Sequence, residues 1–397
     1  MKILDHIAQE IAEKTTAILG YPISITDKEG YIIGSTDRSR LGIFHRPSLE
    51  VLHKNSMVNC EMEEENKILP GVSVPLMFNN KAIGVLGIVG EPSEVETYVQ
   101  LVKSQVEMMC QEAFRKEMLD LESKMIEVFV QQMILESSNN PERILQFAKT
   151  LGYNLDLYRA CILIDVNVPS MDLLDQKSSE EQYDKFSLSF FQREVLDYLS
   201  LIFRESKDDI ISAVSMERFI VIKSMKSEKE SGILISGLES KWNKLNKFLQ
   251  SKYQMSAWIS VGNTKKGVDG IAESYRNAAK AMAVGKGTVR DAHIIHYNDW
   301  LITLELLPKE LSPDLQKKLM SIIQPLIEQD NYDILSSTFL TYCKYNMNLS
   351  ETARNMYIHR NTIIYRLEKI SECTGLQTSN FEHCMLLYMA IRHYGKR

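Results

Sequence analysis

From Ser93 to about Glu136, apolar residues recur at positions 95, 99, 102, 106, 110, 114, 118, 121, 125 and 128, every step three or four residues long. That spacing is one face of a single long α-helix, and a stripe of this length must be covered by something. Either it packs on its own domain or it meets the same stripe of a second copy. The run of fours between 102 and 118 resembles a stutter in a heptad, and we read the segment as a dimer stalk, with packing on its own domain as the alternative.

Ahead of the stripe the pattern is that of a small α/β domain. Ile3, Ile7, Ile11 and Ile18 share a helical face, so residues 2–19 form an amphipathic helix closed by Gly20. Pro22–Thr26 and Tyr31–Ser35 read as strands around the turn Asp27-Lys28-Glu29-Gly30, and the chain becomes helical after Pro47. Val72–Phe78 and Ala82–Val89 form a second hairpin around Asn79-Asn80-Lys81. This order predicts a sensor of the PAS type over residues 1–136, the long signalling helix included.

The middle section, 137–299, alternates: helix 142–151, strand 158–166, helix 183–205, strands 210–214 and 219–224, helix 234–252, strand 256–262, helix 270–285 and strand 293–297. An α/β sandwich with one helical layer set follows. Its order, with Ile259-Ser260-Val261-Gly262 and then Tyr275-Arg276-Asn277-Ala278-Ala279-Lys280-Ala281-Met282, resembles the nucleotide-cyclase-like domain of diguanylate cyclases. Where that family places Gly-Gly-Asp/Glu-Glu-Phe, this chain has Ser215-Met216-Glu217-Arg218-Phe219. The glycines that let backbone approach phosphates and the metal-binding acid pair are absent, so we read a degenerate domain that serves as spacer or dimerisation element and no enzyme, with a nucleotide cyclase or phosphodiesterase-type signalling enzyme as the alternative.

Residues 300–397 read as all-α, with a helix-turn-helix at Leu349–Ile370. Ser350 is the expected N-cap of its first helix, Tyr357-Ile358-His359 the corner, and Ile358, Ile363 and Leu367 the core-facing side of the second. The polar face holds groove-contacting chemistry, because Arg and Asn bond guanine and adenine edges while Thr, Tyr and Arg also serve phosphates. The candidate DNA contacts are Ser350, Thr352, His359, Arg360, Asn361, Thr362, Tyr365 and Arg366. Charge supports this. The whole chain carries a formal −6, yet Leu340–Arg397 holds eight Lys/Arg against four Glu, a basic module on an acidic body. An amphipathic helical hairpin that binds protein instead of DNA is the alternative.

One loop has the vocabulary of anion binding. Ile33-Gly34-Ser35-Thr36-Asp37-Arg38-Ser39-Arg40-Leu41-Gly42-Ile43-Phe44-His45 concentrates two arginines, a histidine and hydroxyls directly after a strand. On composition alone an exposed loop with Asp37 paired to Arg38 or Arg40 is the favoured reading. With Asp27 to Ser35, Asp37, Arg40, Gly42, His45, Gly71-Val72-Ser73-Val74-Pro75, Ile83 to Pro92 and the terminal helix-turn-helix, nearly the whole chain resembles the sugar-diacid recognition regulators, bacterial transcription factors related to the purine-catabolism regulator family. The resemblance implies an N-terminal domain that binds glycerate or a sugar acid, with Arg40 and His45 as contacts and the Gly71–Pro75 strand supplying backbone groups. The candidate effector set is Ser35, Asp37, Arg38, Arg40, His45, Gly71, Ser73 and Pro75. Pro47-Ser48 departs from the small Gly-Ala pair that usually follows the histidine.

The partners so implied are an operator in double-stranded DNA, a small carboxylate effector and a second copy of the chain. No cofactor is expected: there is no GxSxG, no P-loop and no Cys/His nucleophile arrangement. His293 and His296 stand three apart in a strand-like run, which points them to opposite sides and disfavours a metal site. Glu61–Glu65 reads as a solvated acidic loop. Six cysteines without a CxxC pair and the lack of an apolar run that could span a bilayer predict a cytoplasmic protein with reduced thiols.

Overall fold

The computed structural model describes residues 3–60, 69–135, 141–167, 188–288 and 293–394. The acidic run Glu61–Glu65 and the expected helix start at 183–187 lie outside them. The chain divides into two compact units, Met1–Met125 and Ile126–Arg397.

In the first unit, helix α1 (Ile3–Leu19) ends at Gly20, whose φ of 78° turns the chain left-handed and whose N–H reaches the Thr16 carbonyl at 2.8 Å. The buried face of α1 is not the one expected. Leu4, Ala8, Ile11 and Ala12 are buried, whereas Ile18 is 72% exposed. Two alanines win because the helix lies flat on the sheet: a Cβ on Gly34 would sit 2.4 Å from the Ala8 backbone. Strands β1 (Ile23–Thr26), β2 (Ile32–Ser35), β3 (Val58–Cys60), β4 (Gly71–Phe78) and β5 (Lys81–Val89) form an antiparallel sheet in the order β2-β1-β5-β4-β3. The β4–β5 hairpin turns through Asn79 and Asn80, both at positive φ, as a two-residue asparagine turn demands. Ile23, Ile25, Val72, Val74, Leu76, Leu86 and Ile88 form a core with α1 and the long helix. Strand periodicity sends Ser24, Thr26 and Ser73 to the opposite face, where α2 (Arg46–Lys54) packs against β4 and β5.

The long helix α3 runs from Pro92 to Leu135. Its stripe has more than one fate. Val95, Val99, Val102, Val106 and Cys110 are buried in the core of their own unit, which overturns the stalk reading for that half. Met118, Leu121 and Met125 remain 50%, 52% and 39% exposed.

In the second unit the end of α3, from Ile126, and α4 (Pro141–Leu151) precede β6 (Tyr158–Val166), α5 (Leu188–Phe203), β7 (Ile210–Ala213), β8 (Arg218–Met225), α6 (Ser231–Tyr253), β9 (Ala257–Val261), β10 (Lys265–Lys266), α7 (Gly267–Thr288) and β11 (Ile294–His296). The sheet order is β11-β9-β6-β8-β7 with β10 added to β6, and among the described strands the β9–β11 pair is parallel and the others antiparallel. Helices cover both faces, not one. Cys161, Leu163, Ile220 and Ile222 pack toward the end of α3, α4 and α7, while Ile162, Ile164, Phe219 and Val221 pack toward α5 and α6.

The C-terminal helices of the same unit are α8 (Trp300–Glu310), α9 (Pro313–Ile327), α10 (Tyr332–Lys344), α11 (Leu349–Asn355), α12 (Arg360–Thr374) and α13 (Phe381–Tyr394). Ile302 and Leu306 bind α8 into the core of the preceding sheet. Helices α9 to α13 bury their own core around Ile323, Phe339, Ile363, Ile370 and Leu387.

Candidate functional site

After β2 the chain makes one 3₁₀ turn, Arg38–Arg40, capped by Asp37, whose carboxylate accepts from the Ser39 N–H at 3.0 Å and the Ser39 hydroxyl at 2.7 Å. The turn separates the two arginines. Arg38 points outward and donates to Glu13 Oε1 at 2.7 Å, whereas Arg40 points inward and is buried. Among the described residues, no carboxylate lies within ion-pair distance of Arg40. His45, also buried, starts α2: its N–H donates to the Gly30 carbonyl at 2.8 Å, and its Nδ1 lies 2.8 Å from Ser48 Oγ. Burial, and then the neighbouring Arg40 charge, push the His45 ring down to about 4, so it is neutral near pH 7. Burial also lowers Arg40, against the pull of Asp37.

The sheet beneath this pair is polar and flat. Ser35 stands opposite Ser24, Ser24 opposite Gly87, and Gly87 opposite Ser73 across four strands. Directly opposed residues share a face, so the hydroxyls form a row with a gap at Gly87. A Cβ there would lie 2.9 Å from Ser24 Oγ and 3.5 Å from Ser73 Oγ. A narrow, half-open cleft lies over this floor, lined by Ser24, Arg40, His45, Cys60, Leu69, Gly71, Val72, Ser73 and Gly87 to Val89. Burial pushes the Cys60 thiol up, which makes it a neutral wall of the cleft.

Of the expected effector residues, the cleft therefore gathers Arg40, His45, Gly71 and Ser73. Ser35 stands in the serine row but not in the lining, and its N–H is taken by Gln9 Oε1 at 3.0 Å. Asp37 and Arg38 are spent on the turn and on Glu13, and Pro75 lies buried further along β4 opposite Val85. Ser24, Cys60 and Gly87 were not anticipated. The signal for Ser24 was present in Ile23-Ser24-Ile25-Thr26, whose polar residues alternate with apolar ones in a fully buried strand.

In the helix-turn-helix, Asn348 and not Ser350 caps α11, its side chain accepting from the N–H groups of Ser350 and Glu351 at 3.0 and 3.1 Å. Ser350 sits exposed in the first turn. Thr352 is fully buried and its hydroxyl donates to the Asn348 carbonyl at 2.7 Å, so it cannot reach a groove. The corner residue Tyr357 has φ 57° and is 94% exposed. His359 caps α12 by accepting the Asn361 N–H on Nδ1 at 3.2 Å. Arg360, Asn361 and Tyr365 are exposed along α12, with Ile363 and Leu367 buried beneath them. Thr362 is half-buried, and Arg366, also half-buried, donates to Thr338 Oγ1 of α10 at 3.0 Å.

The β7–β8 hairpin of the middle region closes on an ion-pair trio. Asp165 accepts from Arg218 at 2.6 and 2.8 Å and from Lys286 Nζ at 2.8 Å. Burial pushes Asp165 up, but these bonds outweigh it and hold the carboxyl below its usual range. His296 lies on the edge strand and burial lowers its ring. Among the described residues no group of three or more His, Cys, Asp or Glu is placed to hold a metal ion, and no helix is long and apolar enough to cross a membrane.

A polar cleft with a buried arginine in one unit and a helix-turn-helix in the other are the features of a ligand-responsive transcriptional regulator. The sugar diacid recognition family matches residues 3–133, a GGDEF-like domain 136–284, and the PucR C-terminal helix-turn-helix domain 335–393. The chain is 28% identical over 393 residues to the carbohydrate diacid regulator of Escherichia coli, covering 97% of this chain and 96% of that one. It is also 31% identical over 147 residues to the purine catabolism regulatory protein of Bacillus subtilis, 36% of this chain and 27% of that one. Among solved structures, a regulator of polyketide synthase expression from Bifidobacterium adolescentis aligns with 69% of this chain and all of that one, at 17% identity and a TM-score of 0.29. The chain thus carries a sugar diacid recognition domain and a PucR-type helix-turn-helix domain and is similar over nearly its whole length to a carbohydrate diacid regulator.

Proposed function

We propose that the cleft binds a small hydroxylated carboxylic acid, glycerate or a sugar diacid, and that its occupancy sets how the chain engages an operator. The observation that carries this reading is Arg40, a buried guanidinium with no carboxylate partner among the described residues, held over neutral hydrogen-bonding groups. A carboxylate supplies the missing charge, and a guanidinium fork takes both of its oxygens. Hydroxyls of the acid meet Ser24 and Ser73, and with Nδ1 committed to Ser48, Nε2 is the ring nitrogen of His45 that the ligand meets. The sheet order β2-β1-β5-β4-β3 supports a PAS-type sensor.

The cleft is joined directly in sequence to the long helix α3. Gly87 lies on β5, and β5 leads through Gly90 into α3 at Pro92. A ligand seated on the serine row favours one setting of that strand, and population shift transmits it along α3. Arg360, Asn361 and Tyr365 are the base- and phosphate-contacting residues of α12 in this reading. The protein acts in the cytoplasm as a homodimer, activates genes for use of the acid, and performs no catalysis: the β7–β8 turn holds a single acid, the exposed Glu217, and the buried Asp165 of β6 beside it is neutralised by Arg218 and Lys286.

The test is operator binding by the full chain across a salt series, with and without millimolar glycerate, glucarate, galactarate or tartrate. One acid should change the affinity selectively, and log K should fall with log salt at a slope of about −0.9 per phosphate contact. Arg360→Ala or Asn361→Ala should weaken operator binding and leave effector affinity intact. An operator complex insensitive to all four acids, or full affinity in the Arg360→Ala protein, counts against the respective half of the reading.

A further inference from the structure

Between the part of α3 that packs on the sensor sheet and Met125, the helix carries a second apolar seam: Phe114, Met118, Leu121 and Met125, spaced four, three and four. Phe114 leans on Phe78, with ring centroids 5.1 Å apart, while the other three are 50%, 52% and 39% exposed. Beyond Phe114 this heptad seam is left largely uncovered by the described residues. The residues flanking it are charged: Arg115 and Glu122 on one side, Glu117 and Lys124 on the other. Among the described residues none of these four has an ion-pair partner.

We propose that this seam docks on the same seam of a second copy, and that the two helices run antiparallel. The proposal rests on the dimer reading above and adds its geometry. The flanking charges decide the direction. In a parallel pair the residues on either side of the seam meet five positions apart, which sets Glu117 against Glu122 of the second copy, twice by symmetry. In an antiparallel pair each flank meets itself. With Met118 opposite Leu121 of the second copy and Phe114 opposite Met125, Glu117 falls beside Lys124 and Arg115 beside Glu122, again twice each. Like charges directly across a seam disfavour one orientation and opposite charges favour the other, which is how such helices specify pairing. The twofold axis then crosses α3 near Leu119 and Asp120. The apolar layers close in the same register, so packing and charge agree.

Charge reversal separates the orientations by sign. Sedimentation equilibrium of the full chain is measured for wild type, Glu117→Lys, and Glu117→Lys with Lys124→Glu. In the antiparallel pair Glu117→Lys faces Lys124 of the second copy, so the dimer dissociation constant should rise roughly tenfold, and the double variant should restore it. In a parallel pair the same single change faces Glu122 and should tighten the dimer. A spin label on Leu101→Cys, with Cys343→Ser and Cys373→Ser to remove the two partly exposed thiols, gives the distance directly: roughly 55 Å antiparallel at 1.5 Å per residue, against about 10–20 Å parallel. A dimer that Glu117→Lys tightens, or a short label distance, overturns the antiparallel seam and leaves the dimer standing. A monomer in every sample sinks both the seam and the dimer.

Discussion

Replacing Arg40 with methionine should leave the free protein as stable as before, or more so, while abolishing its response to the effector. The side chain is only 9% exposed and has no ion-pair partner among the described residues, so its charge is held away from water with only the more distant Asp37 to offset the loss. A fully buried unpaired ion costs several kcal/mol after relaxation; beside an open cleft we discount this to about 1 kcal/mol. Methionine keeps the packing of the arginine stem and removes that penalty. Relief of about 1 kcal/mol raises the midpoint of the sensor transition by roughly 2–8 °C for a unit of this size. Binding changes the other way. Two charge-assisted hydrogen bonds to a carboxylate contribute on the order of 3 kcal/mol together, so their loss weakens the effector about a hundredfold. Thermal unfolding of the full-length wild type and variant, each with and without the acid found to shift the wild type, reads both quantities at once. If Arg40→Met lowers the free midpoint by several degrees and keeps the ligand-induced shift, Arg40 is a structural residue and the cleft assignment loses its main support.

Three further outcomes follow from the geometry. Gly87→Ala places a methyl 2.9 Å from Ser24 Oγ; the hydroxyl can rotate away, so stability should fall by only about 1 kcal/mol, while effector affinity drops at least roughly tenfold by calorimetry. Unchanged affinity would remove the serine row from the site. His45 has a folded pKa of about 4 against 6.5 unfolded, so the unfolded chain binds the extra proton between those values. Stability from keeping the ring neutral is complete above pH 6.5 and is lost as the pH falls through 4, by about 3 kcal/mol, and urea titrations of His45→Gln should lack that part of the slope. Asn348→Ala should cost about 1 kcal/mol in the helix-turn-helix and Ser350→Ala a few tenths, an order that chemical denaturation checks and that reverses if Ser350 were the cap.

Much of the fold was legible because its signals are local. Helix ends marked by Gly20, the paired asparagines at 79 and 80, and three-to-four spacing along α3 each depend on a few neighbouring residues. What failed depended on partners distant in sequence. Ile18 looked like part of the buried face of α1, but that face was chosen by Gly34, which admits a helix only where it presents alanine. One stripe on α3 looked like one seam, yet the sensor sheet claims it up to Cys110 and leaves the next turns bare. The second helical layer of the middle sheet was foreshadowed: Ala160-Cys161-Ile162-Leu163-Ile164 is a continuous apolar run, the mark of a strand covered on both faces.

The site was legible as a vocabulary but not as an assignment. Arg38 and Arg40 are chemically identical and two residues apart, and no spacing argument tells which of them faces a ligand. The 3₁₀ turn does, because neighbouring positions on it point about a third of a turn apart, and Glu13 on α1 is placed to hold Arg38 outside. Once Arg38 is neutralised, Arg40 is the loop arginine whose charge still lacks a carboxylate among the described residues, and the sheet below it offers only hydroxyls, a neutral imidazole and backbone. The ligand chemistry we propose thus rests on what the described residues leave unpaired, which is a property of the assembled sheet and of no single segment of sequence.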